Sequence, residues 1–134
     1  AYVWLDADHP EQPQRVLGYF TLSGIAMARR QARRRDRDRF LGAYEPAPGV
    51  LIGRLALDVS LQGHGHGGGL MVAAMNQALK LQDLLGVVVV VVHAIDEIAA
   101  RFYEHQGFER FRDEPLHLYY PLARFQAVMD TEME

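Results

Sequence analysis

A turn composed almost entirely of glycine and histidine lies near the middle of the chain. Residues 63–68 read GHGHGG, with an apolar stretch before them and an amphipathic stretch after them. Because glycine lacks a Cβ, such a turn lets the backbone approach a ligand closely. A helix beginning there would present unpaired N–H groups and a partial positive charge to an anion. The segment therefore predicts a phosphate-binding turn. The alternative is a tight turn in which the glycines only relieve steric crowding.

The glycine turn does not match the P-loop, the dinucleotide-binding motif or a metal site well. No Gly-Lys-Ser/Thr follows the turn, as a P-loop requires. The apolar strand predicted at residues 87–92 does not end in the acidic residue of a dinucleotide site. His64 and His66 have metal-ligand character, but the sequence offers no matching third ligand. We therefore predict no metal site, and either imidazole could instead contact a phosphate.

Three other polar residues could take part in chemistry. Tyr103 carries a phenol that can donate a proton, but taken by itself it is interpreted as a half-buried helix aromatic with its hydroxyl in solvent. Asp58, the only acidic residue in Val50–Val59, could act as a base through water or could orient the turn. His93 ends an apolar strand and could be a base or simply a hydrogen-bonded strand-end histidine.

The basic residues are concentrated in one segment. Residues 27–40 contain seven arginines and two aspartates, a local charge of +5. The remaining residues sum to −8, which gives the chain its net charge of −3. Arginine pairs with phosphate through its planar guanidinium fork, which favours a nucleic-acid contact here. The alternative is a solvated, mobile linker. The candidate phosphate-contacting residues are Arg29, Arg30, Arg33, Arg34 and Arg35.

Apolar periodicity predicts the elements that position these residues. The predicted strands are Tyr2–Leu5, Arg15–Ser23, Val50–Val59, Val87–His93, Phe108–Arg112 and Leu116–Leu122. One predicted helix runs from the glycine turn to Leu85, with Gly86 as a left-handed cap, and a second runs from Glu97 to Gln106, with Asp96 as its N-cap. We expect Ile98 and Phe102 to face inward. The central strand-helix-strand unit implies a parallel pair, and the flanking strands imply antiparallel edges. The prediction is a mixed α/β sheet with helices packed against it.

Composition places broad limits on the protein. A chain of 134 residues with 49% hydrophobic residues fits one globular domain. It contains no cysteine, which excludes disulfides and thiolate metal sites and is compatible with a reducing cytoplasm. The longest apolar run, Gly86–Ala94, is too short to span a membrane, and we see no signal-peptide pattern. We expect a cytoplasmic protein.

Two motifs resemble those of the GNAT (Gcn5-related) N-acetyltransferase family. Gln62–Gly67, QGHGHG, matches the Gln/Arg-x-x-Gly-x-Gly/Ala signature of that family. Arg101–Phe108, RFYEHQGF, resembles its F-Y-x-x-x-G-F passage from helix to strand. One helix and one apolar strand separate the two motifs, as in the family. The resemblance covers roughly Arg15–Leu122 and implies the GNAT fold, with the family's N-terminal elements missing or shortened before Ala1.

The resemblance implies acetyl-CoA as the acyl donor. The backbone amides of Gly63–Gly68 would hold the CoA pyrophosphate, and Tyr103 would be the general acid. Strands Val50–Val59 and Val87–His93 would splay apart to admit the pantetheine arm. The implied cofactor-binding residues are Leu55, Leu57, Val59, Gln62, Gly63, His64, Gly65, His66, Gly67 and Gly68.

Within the family, the chain is most similar to the acetyltransferase toxins of toxin–antitoxin systems. The matching runs are Leu51–Asp58, Asp96–Phe108 and Asp113–Leu122. This similarity implies acetylation of the α-amine of aminoacyl-tRNA and a ribbon-helix-helix antitoxin. Many family members carry a glutamate base before the signature, a region where this chain has Arg54. The lack of that glutamate agrees with an α-amine acceptor, whose pKa of about 7.7–8.0 is lower than the value of about 10.4 for lysine.

The sequence therefore predicts a single GNAT acetyltransferase domain over residues 1–134. Its predicted parts are hairpin-like strands at 1–28, an Arg-rich connection at 29–49, an acetyl-CoA-binding core at 50–122 and a polar, frayed tail at 123–134. The expected partners are acetyl-CoA, aminoacyl-tRNA, an antitoxin and a second copy in a homodimer, with no membrane partner. Two alternatives remain: an enzyme acetylating a small-molecule or peptide amine, and a non-catalytic acyl-CoA-binding domain.

Overall fold

A six-stranded sheet with α-helices on both faces organises the part of the chain that the computed structural model describes, namely residues 2–5, 16–43, 45–57 and 66–132. The strands are β1 (Tyr2–Leu5), β2 (Val16–Met27), β3 (Ala47–Leu57), β4 (Val89–His93), β5 (Glu109–Arg110) and β6 (His117–Pro121). The α-helices are α1 (Arg34–Phe40), α2 (His66–Leu85), α3 (Glu97–His105) and α4 (Leu122–Glu132), and a short 3-10 helix spans Arg29–Gln31.

The strand order confirms the predicted mixed α/β sheet. The order is β1-β2-β3-β4-β6-β5, in which β3 and β4 are parallel and the other neighbours are antiparallel. The β3-α2-β4 unit is the strand-helix-strand crossover that the sequence predicted. Helix α1 lies within the basic segment, whose arginines have helical i, i+4 spacing, and helix α4 is an addition to the predicted element order.

The two central strands pair over only part of their length. Their ladder joins Gly49–Ile52 to Val89–Val92. Beyond it, β3 continues to Leu57, whereas the next β4 residue, His93, pairs with β6 instead. The sheet therefore opens between β3 and β4 toward the carboxyl ends of both strands, as the predicted splaying requires.

A bulge in β3 coincides with this opening. Arg54 lies opposite Thr21 and Ile52 lies opposite Leu22, which leaves Gly53 as an extra residue in β3. A Cβ at Gly53 would lie only 2.8 Å from Oγ1 of Thr21, so a larger residue there would require the Thr21 side chain to move. Because of the extra residue, the side chains of Ile52 and Leu55 remain on one face of the sheet.

Each face of the sheet has its own core. Helices α2, α3 and α4 cover one face, where the buried residues include Phe20, Val50, Ile52, Leu70, Met71, Ala74, Met75, Val90, Val92, Ala100, Leu118, Tyr120, Leu122 and Phe125. The segment from β2 through α1 covers the other, where they include Met27, Ala32, Leu41, Ala47, Val89, Val91, Phe111 and Tyr119. The valines of β4 alternate between the two cores, as expected for a strand buried on both faces.

The arginine-rich segment is held to the sheet by a buried carboxylate. Asp36 on α1 is only 1% exposed. The hydroxyl of Tyr119 donates to Asp36 Oδ2 at 2.5 Å, and Nη1 of Arg124 donates to Oδ1 at 2.9 Å. The backbone N–H of Arg33 donates to the same Tyr119 hydroxyl at 2.8 Å. The alternative of a mobile linker is therefore wrong, because this network joins α1 to β6 and α4.

The predicted frayed tail is also wrong over residues 123–132. These residues belong to α4, in which Leu122 and Phe125 are buried and Met129 packs against the core. The three side chains follow helical i, i+3, i+7 spacing and form an apolar stripe in a segment where polar residues and exposed small or apolar residues alternate.

Several local predictions differ from the structure at element ends. The break predicted at Tyr44–Gly49 is replaced by β3 from Ala47 onward, because the carbonyl of Pro48 accepts the N–H of Val88 at 2.9 Å. Ile98 does not face inward; it is 77% exposed, because it lies at the N-terminal end of α3 beside an open cavity. None of the helices in the described ranges has the length and apolar character needed to cross a bilayer.

Both predicted caps are confirmed. The carboxylate of Asp96 accepts the N–H of Ala99 at 2.8 Å at the start of α3. Gly86 has a φ of +70° after α2, and its N–H donates to the carbonyl of Gln82 at 2.9 Å. At the end of α3, Gly107 has a φ of +106°, and a Cβ there would lie 2.7 Å from Cε2 of Tyr120. The positive φ and the close approach of the Tyr120 ring therefore both favour glycine at this position of the F-Y-x-x-x-G-F motif.

These two glycines give a matched test of packing. We expect Gly86→Ala to lower the free energy of unfolding by about 1–2 kcal/mol, the cost of a left-handed backbone for a residue with a Cβ. No described atom lies within 4 Å of the added Cβ there. Gly107→Ala should cost at least about 1 kcal/mol more, because the ring of Tyr120 must move as well. Urea denaturation of both variants measures the difference, and equal losses of stability would contradict the close approach of Tyr120.

The buried network at Asp36 gives a second stability prediction. Tyr119→Phe leaves Asp36 Oδ2 and the N–H of Arg33 without their hydroxyl partner, which should cost about 1–3 kcal/mol in urea denaturation. The control is Tyr2→Phe, because Tyr2 is exposed. Burial and the bond to Asp36 raise the pKa of Tyr119, so its contribution should be complete below about pH 10 and should decline above it. Equal stability of the two variants would contradict this account.

Candidate active site

A cavity of about 540 Å³ opens where β3 and β4 separate. Its walls come from the end of β3, the first turns of α2, the loop after β4 and one side of α3. The lining residues are Leu55, Ala56, Gly67, Leu70, Ile95, Asp96, Ile98, Ala99, Phe102 and Tyr103. The lining is mainly apolar, with a helix N-terminus and a phenol at its edge, which suits an extended apolar chain that carries an anionic end.

The structure brings part of the predicted donor-binding set to this cavity. Leu55 and Gly67 line it, and Gly68 follows in the first turn of α2. Leu57 ends β3 and His66 begins α2. The remaining predicted residues lie outside the described part of the chain, and so does Asp58; they are Val59, Gln62, Gly63, His64 and Gly65.

The N-terminus of α2 supplies the electrostatics expected of an anion site. The helix is 20 residues long, and Gly67 and Gly68 lie in its first turn, where backbone N–H groups have no partner within the helix. Position 68 lies against the side-chain amide of Gln106, since a Cβ there would be 3.4 Å from its Oε1. A diphosphate at the mouth of the cavity would therefore meet N–H donors and the positive end of a helix dipole.

Tyr103 is held firmly at the opposite wall. Its ring makes an edge contact with Phe102 at 5.4 Å and a tilted contact with Phe108 at 5.7 Å. Its carbonyl accepts the N–H groups of Gln106 at 3.0 Å and Phe108 at 3.1 Å, which fixes the backbone at the end of α3. Burial raises the pKa of the Tyr103 phenol. The hydroxyl thus stays protonated at neutral pH, the state in which it can donate a proton.

The other face of the sheet carries a histidine pair that the sequence did not predict. His93 and His117 are direct cross-strand neighbours on β4 and β6, and their rings stack with centroids 3.8 Å apart and planes 16° from parallel. Burial, followed by the charge of His117, lowers the pKa of His93, and the nearby Glu114 opposes that shift. His93 was identified from sequence, but its partner depends on the β4–β6 register, which no local pattern reveals.

The predicted phosphate-contacting arginines divide into two groups. Nη2 of Arg29 turns inward and donates to the carbonyl of Arg37 at 3.4 Å, so this residue supports the segment itself. Arg30, Arg33, Arg34 and Arg35 are exposed. Arg30 pairs with Asp113 at 2.9 Å, and Arg35 pairs with Glu109.

A groove of about 680 Å³ runs beside this segment, between α1 and α4. The guanidinium groups along it belong to Arg35, Arg39 and Arg124, and its apolar floor includes Phe40 and Val128. Together with the exposed arginines it forms a basic surface along α1 and the adjoining side of α4. Sequence reasoning identified the charge of this surface but not its concave shape.

Comparison with known proteins adds independent observations. No protein-family model matches the chain. A curated protein of Mycobacterium tuberculosis, described as a tRNA-acetylating toxin, is 35% identical over 104 residues, which are 78% of this chain and 61% of that protein. The chain therefore spans about three fifths of the length of this relative.

Solved structures extend the comparison to the fold. AtaT in complex with acetyl-methionyl-tRNAfMet matches with a TM-score of 0.79 and 31% identity, covering 91% of this chain and 71% of AtaT. A Tyr→Phe variant of AtaT, bound to acetyl-CoA and the C-terminus of the antitoxin AtaR, matches with a TM-score of 0.66 and 31% identity, covering 84% and 65%. The likeness thus includes sequence as well as fold over most of this chain.

Proposed function

This chain belongs to the GNAT-fold toxin acetyltransferases of toxin–antitoxin systems, and from that premise we propose that it transfers the acetyl group of acetyl-CoA to a primary amine. The observation that carries the proposal is the cavity between β3 and β4, which brings the N-terminus of α2 and the phenol of Tyr103 to one site. An acyl donor needs both an anchor for its diphosphate and a proton for its departing sulfur.

The donor-binding residues follow from the geometry of the cavity. The amides of Gly67 and Gly68, continued by the preceding glycine turn, would bind the CoA diphosphate. The pantetheine arm would lie against Leu55 and the part of β3 that has no partner on its β4 side. There, free backbone N–H and C=O groups can pair with the amides of the arm. Bound acetyl-CoA supplies the activated thioester.

Tyr103 would protonate the departing thiolate. The amine nitrogen attacks the thioester carbonyl, the C–N bond forms, and the C–S bond breaks as the phenol proton moves to sulfur. The raised pKa keeps the phenol protonated until this step. A Tyr→Phe variant of AtaT holds acetyl-CoA in its solved structure, so in that protein the loss of one tyrosine hydroxyl does not prevent donor binding.

For the acceptor, we propose the α-amine of aminoacyl-tRNA. Three observations support it: the relative described as a tRNA-acetylating toxin, the AtaT complex with acetyl-methionyl-tRNAfMet, and the exposed arginines beside the groove between α1 and α4. Such a substrate would place the enzyme in the cytoplasm. An antitoxin is the proposed protein partner, supported by the AtaT complex with AtaR.

The role of Tyr103 predicts a loss of turnover without a loss of donor binding. Tyr103→Phe should lower kcat for acetyl transfer by about 100-fold or more, the usual contribution of general acid catalysis. Calorimetry should give a Kd for acetyl-CoA within about twofold of the unmodified chain. The control is Tyr19→Phe, because Tyr19 is half-buried on β2 and does not line the cavity. Unchanged turnover in Tyr103→Phe would contradict the role.

The tRNA acceptor predicts a salt-dependent effect of the exposed arginines. Arg33→Glu combined with Arg34→Glu should weaken binding of total charged tRNA. The slope of log K against log salt should fall by about 1 for each tRNA phosphate that the variant no longer neutralises. The control is Lys80→Glu combined with Arg101→Glu, which reverses the same charge on exposed sites outside the segment. Equal effects of the two pairs would contradict the assigned surface, and transfer to free amines but not to charged tRNA would contradict the acceptor.

A further inference from the structure

The stacked pair of His93 and His117 lies at the opening of the sheet. His93 is the first β4 residue beyond the last β3–β4 pair, Ile52 with Val92. It is exposed, whereas His117 is half-buried and meets Phe111 edge-on at 5.6 Å. The stack therefore fixes the ring of His93 while leaving it open to solvent.

The alternation of β4 shows which face His93 occupies. Val90 and Val92 belong to the core under α2 and α3, against which Tyr103 also packs. Val89 and Val91 belong to the core on the opposite face. Because strand side chains alternate, His93 shares the face of Val89 and Val91. Tyr103 and His93 thus flank the opening between β3 and β4 from opposite sides of the sheet.

The surroundings of His93 keep its imidazole neutral. The ring of His117 covers one side, and a proton on either ring is disfavoured by a proton on the other. Burial, followed by the charge of His117, lowers the pKa of His93, and Glu114 acts in the opposite direction. The imidazole therefore has a lone pair available at neutral pH. Arg54 lies on the same face of the sheet, since it pairs with Thr21, which alternates with the inward-facing Phe20 and Leu22.

We propose that His93 is the base that accepts the proton of the acceptor amine, and that His117 is the residue that positions it. The inference rests on the proposed acetyl transfer. As the amine nitrogen bonds to the carbonyl carbon and the C–S bond breaks, one N–H proton passes to a ring nitrogen of His93. The phenol proton of Tyr103 passes to sulfur, and solvent then returns the proton of His93 to the tyrosinate. The products are the N-acetylated acceptor and the free thiol of CoA.

This assignment also accounts for the region where many GNAT enzymes carry a glutamate. Arg54 occupies it here, and it lies on the same face as His93. An arginine cannot accept a proton at neutral pH. The base is therefore provided across the opening, by β4 instead of β3, while Arg54 remains available for a phosphate of the acceptor.

The experiment uses His93→Gln, which keeps a polar side chain at an exposed position, with His105→Gln as the control at an exposed histidine on α3. Initial rates are measured with radiolabelled acetyl-CoA and total charged tRNA between pH 5.5 and 8.5. We expect kcat in His93→Gln to fall by about 100-fold or more. The part of the rise in kcat/KM that follows the pKa of His93 should disappear in this variant, which leaves only the rise from deprotonation of the acceptor α-amine, while the Kd for acetyl-CoA stays unchanged.

A second variant tests the pair by a measurement that does not depend on activity. His117→Phe keeps an aromatic ring on His93 and removes the neighbouring charge, so the pKa of His93 in an NMR titration of ring C–H signals should rise. The rising limb of kcat/KM should move to higher pH with it. If His93 had no part in catalysis, its pKa would rise in the NMR titration while the pH profile of kcat/KM stayed where it was.

The possible outcomes distinguish the assignment of His93 as the base from the proposed acetyltransferase function on which it rests. If the unmodified chain acetylates charged tRNA and His93→Gln has the same kcat and pH profile, the base assignment is overturned and the acetyltransferase function stands. A higher KM with an unchanged kcat would likewise overturn it, since His93 would then only contact the substrate. If the unmodified chain binds acetyl-CoA but transfers to no amine, the proposed function fails and the base assignment fails with it.

Discussion

The early end of the β3–β4 ladder is the constraint on which the site depends. Four residue pairs join the two strands. The next residue of β4, His93, is paired with β6 and not with β3. From Arg54 to Leu57, β3 is paired with β2 but not with β4. A gap in the middle of a sheet exposes backbone donors and acceptors between two buried cores. Since the strands are parallel, the helices that follow them bring their N-termini to that same end.

The bulge at Gly53 determines which β3 side chains lie on each face of the sheet at the opening between β3 and β4. Without the extra residue, the register with β2 would continue and Leu55 would turn away from the α2 face. With it, Leu55 stays beside Ile52 and Arg54 faces the basic side. One glycine therefore divides the opening into an apolar side, suited to a donor arm, and a charged side, suited to an anionic acceptor. A larger residue there would displace the Thr21 side chain, whose Oγ1 would lie 2.8 Å from the added Cβ.

The sequence predicted what local chemistry determines. The paired strands, the helices α2 and α3, the caps at Gly86 and Asp96, and the parallel central pair all follow from short-range patterns. The burial of Asp36 does not, because its partners Tyr119 and Arg124 lie 83 and 88 residues away. The stacking of His93 on His117 likewise depends on strand register. The helix α4 was missed for another reason: its apolar stripe of Leu122, Phe125 and Met129 is narrow and interrupted by polar residues.

The arginine-rich segment shows why charge counting alone could not decide its role. A run of arginines in solvent must lose side-chain and backbone entropy before it can present a fixed surface to phosphates. Here the aspartate inside the run is buried and bonded to Tyr119 and Arg124, so the backbone that carries Arg33, Arg34 and Arg35 is already ordered. Burying Asp36 costs desolvation, which its two charge-assisted bonds offset. The carboxylate that lowers the net positive charge of the run is therefore the group that holds the basic surface in place.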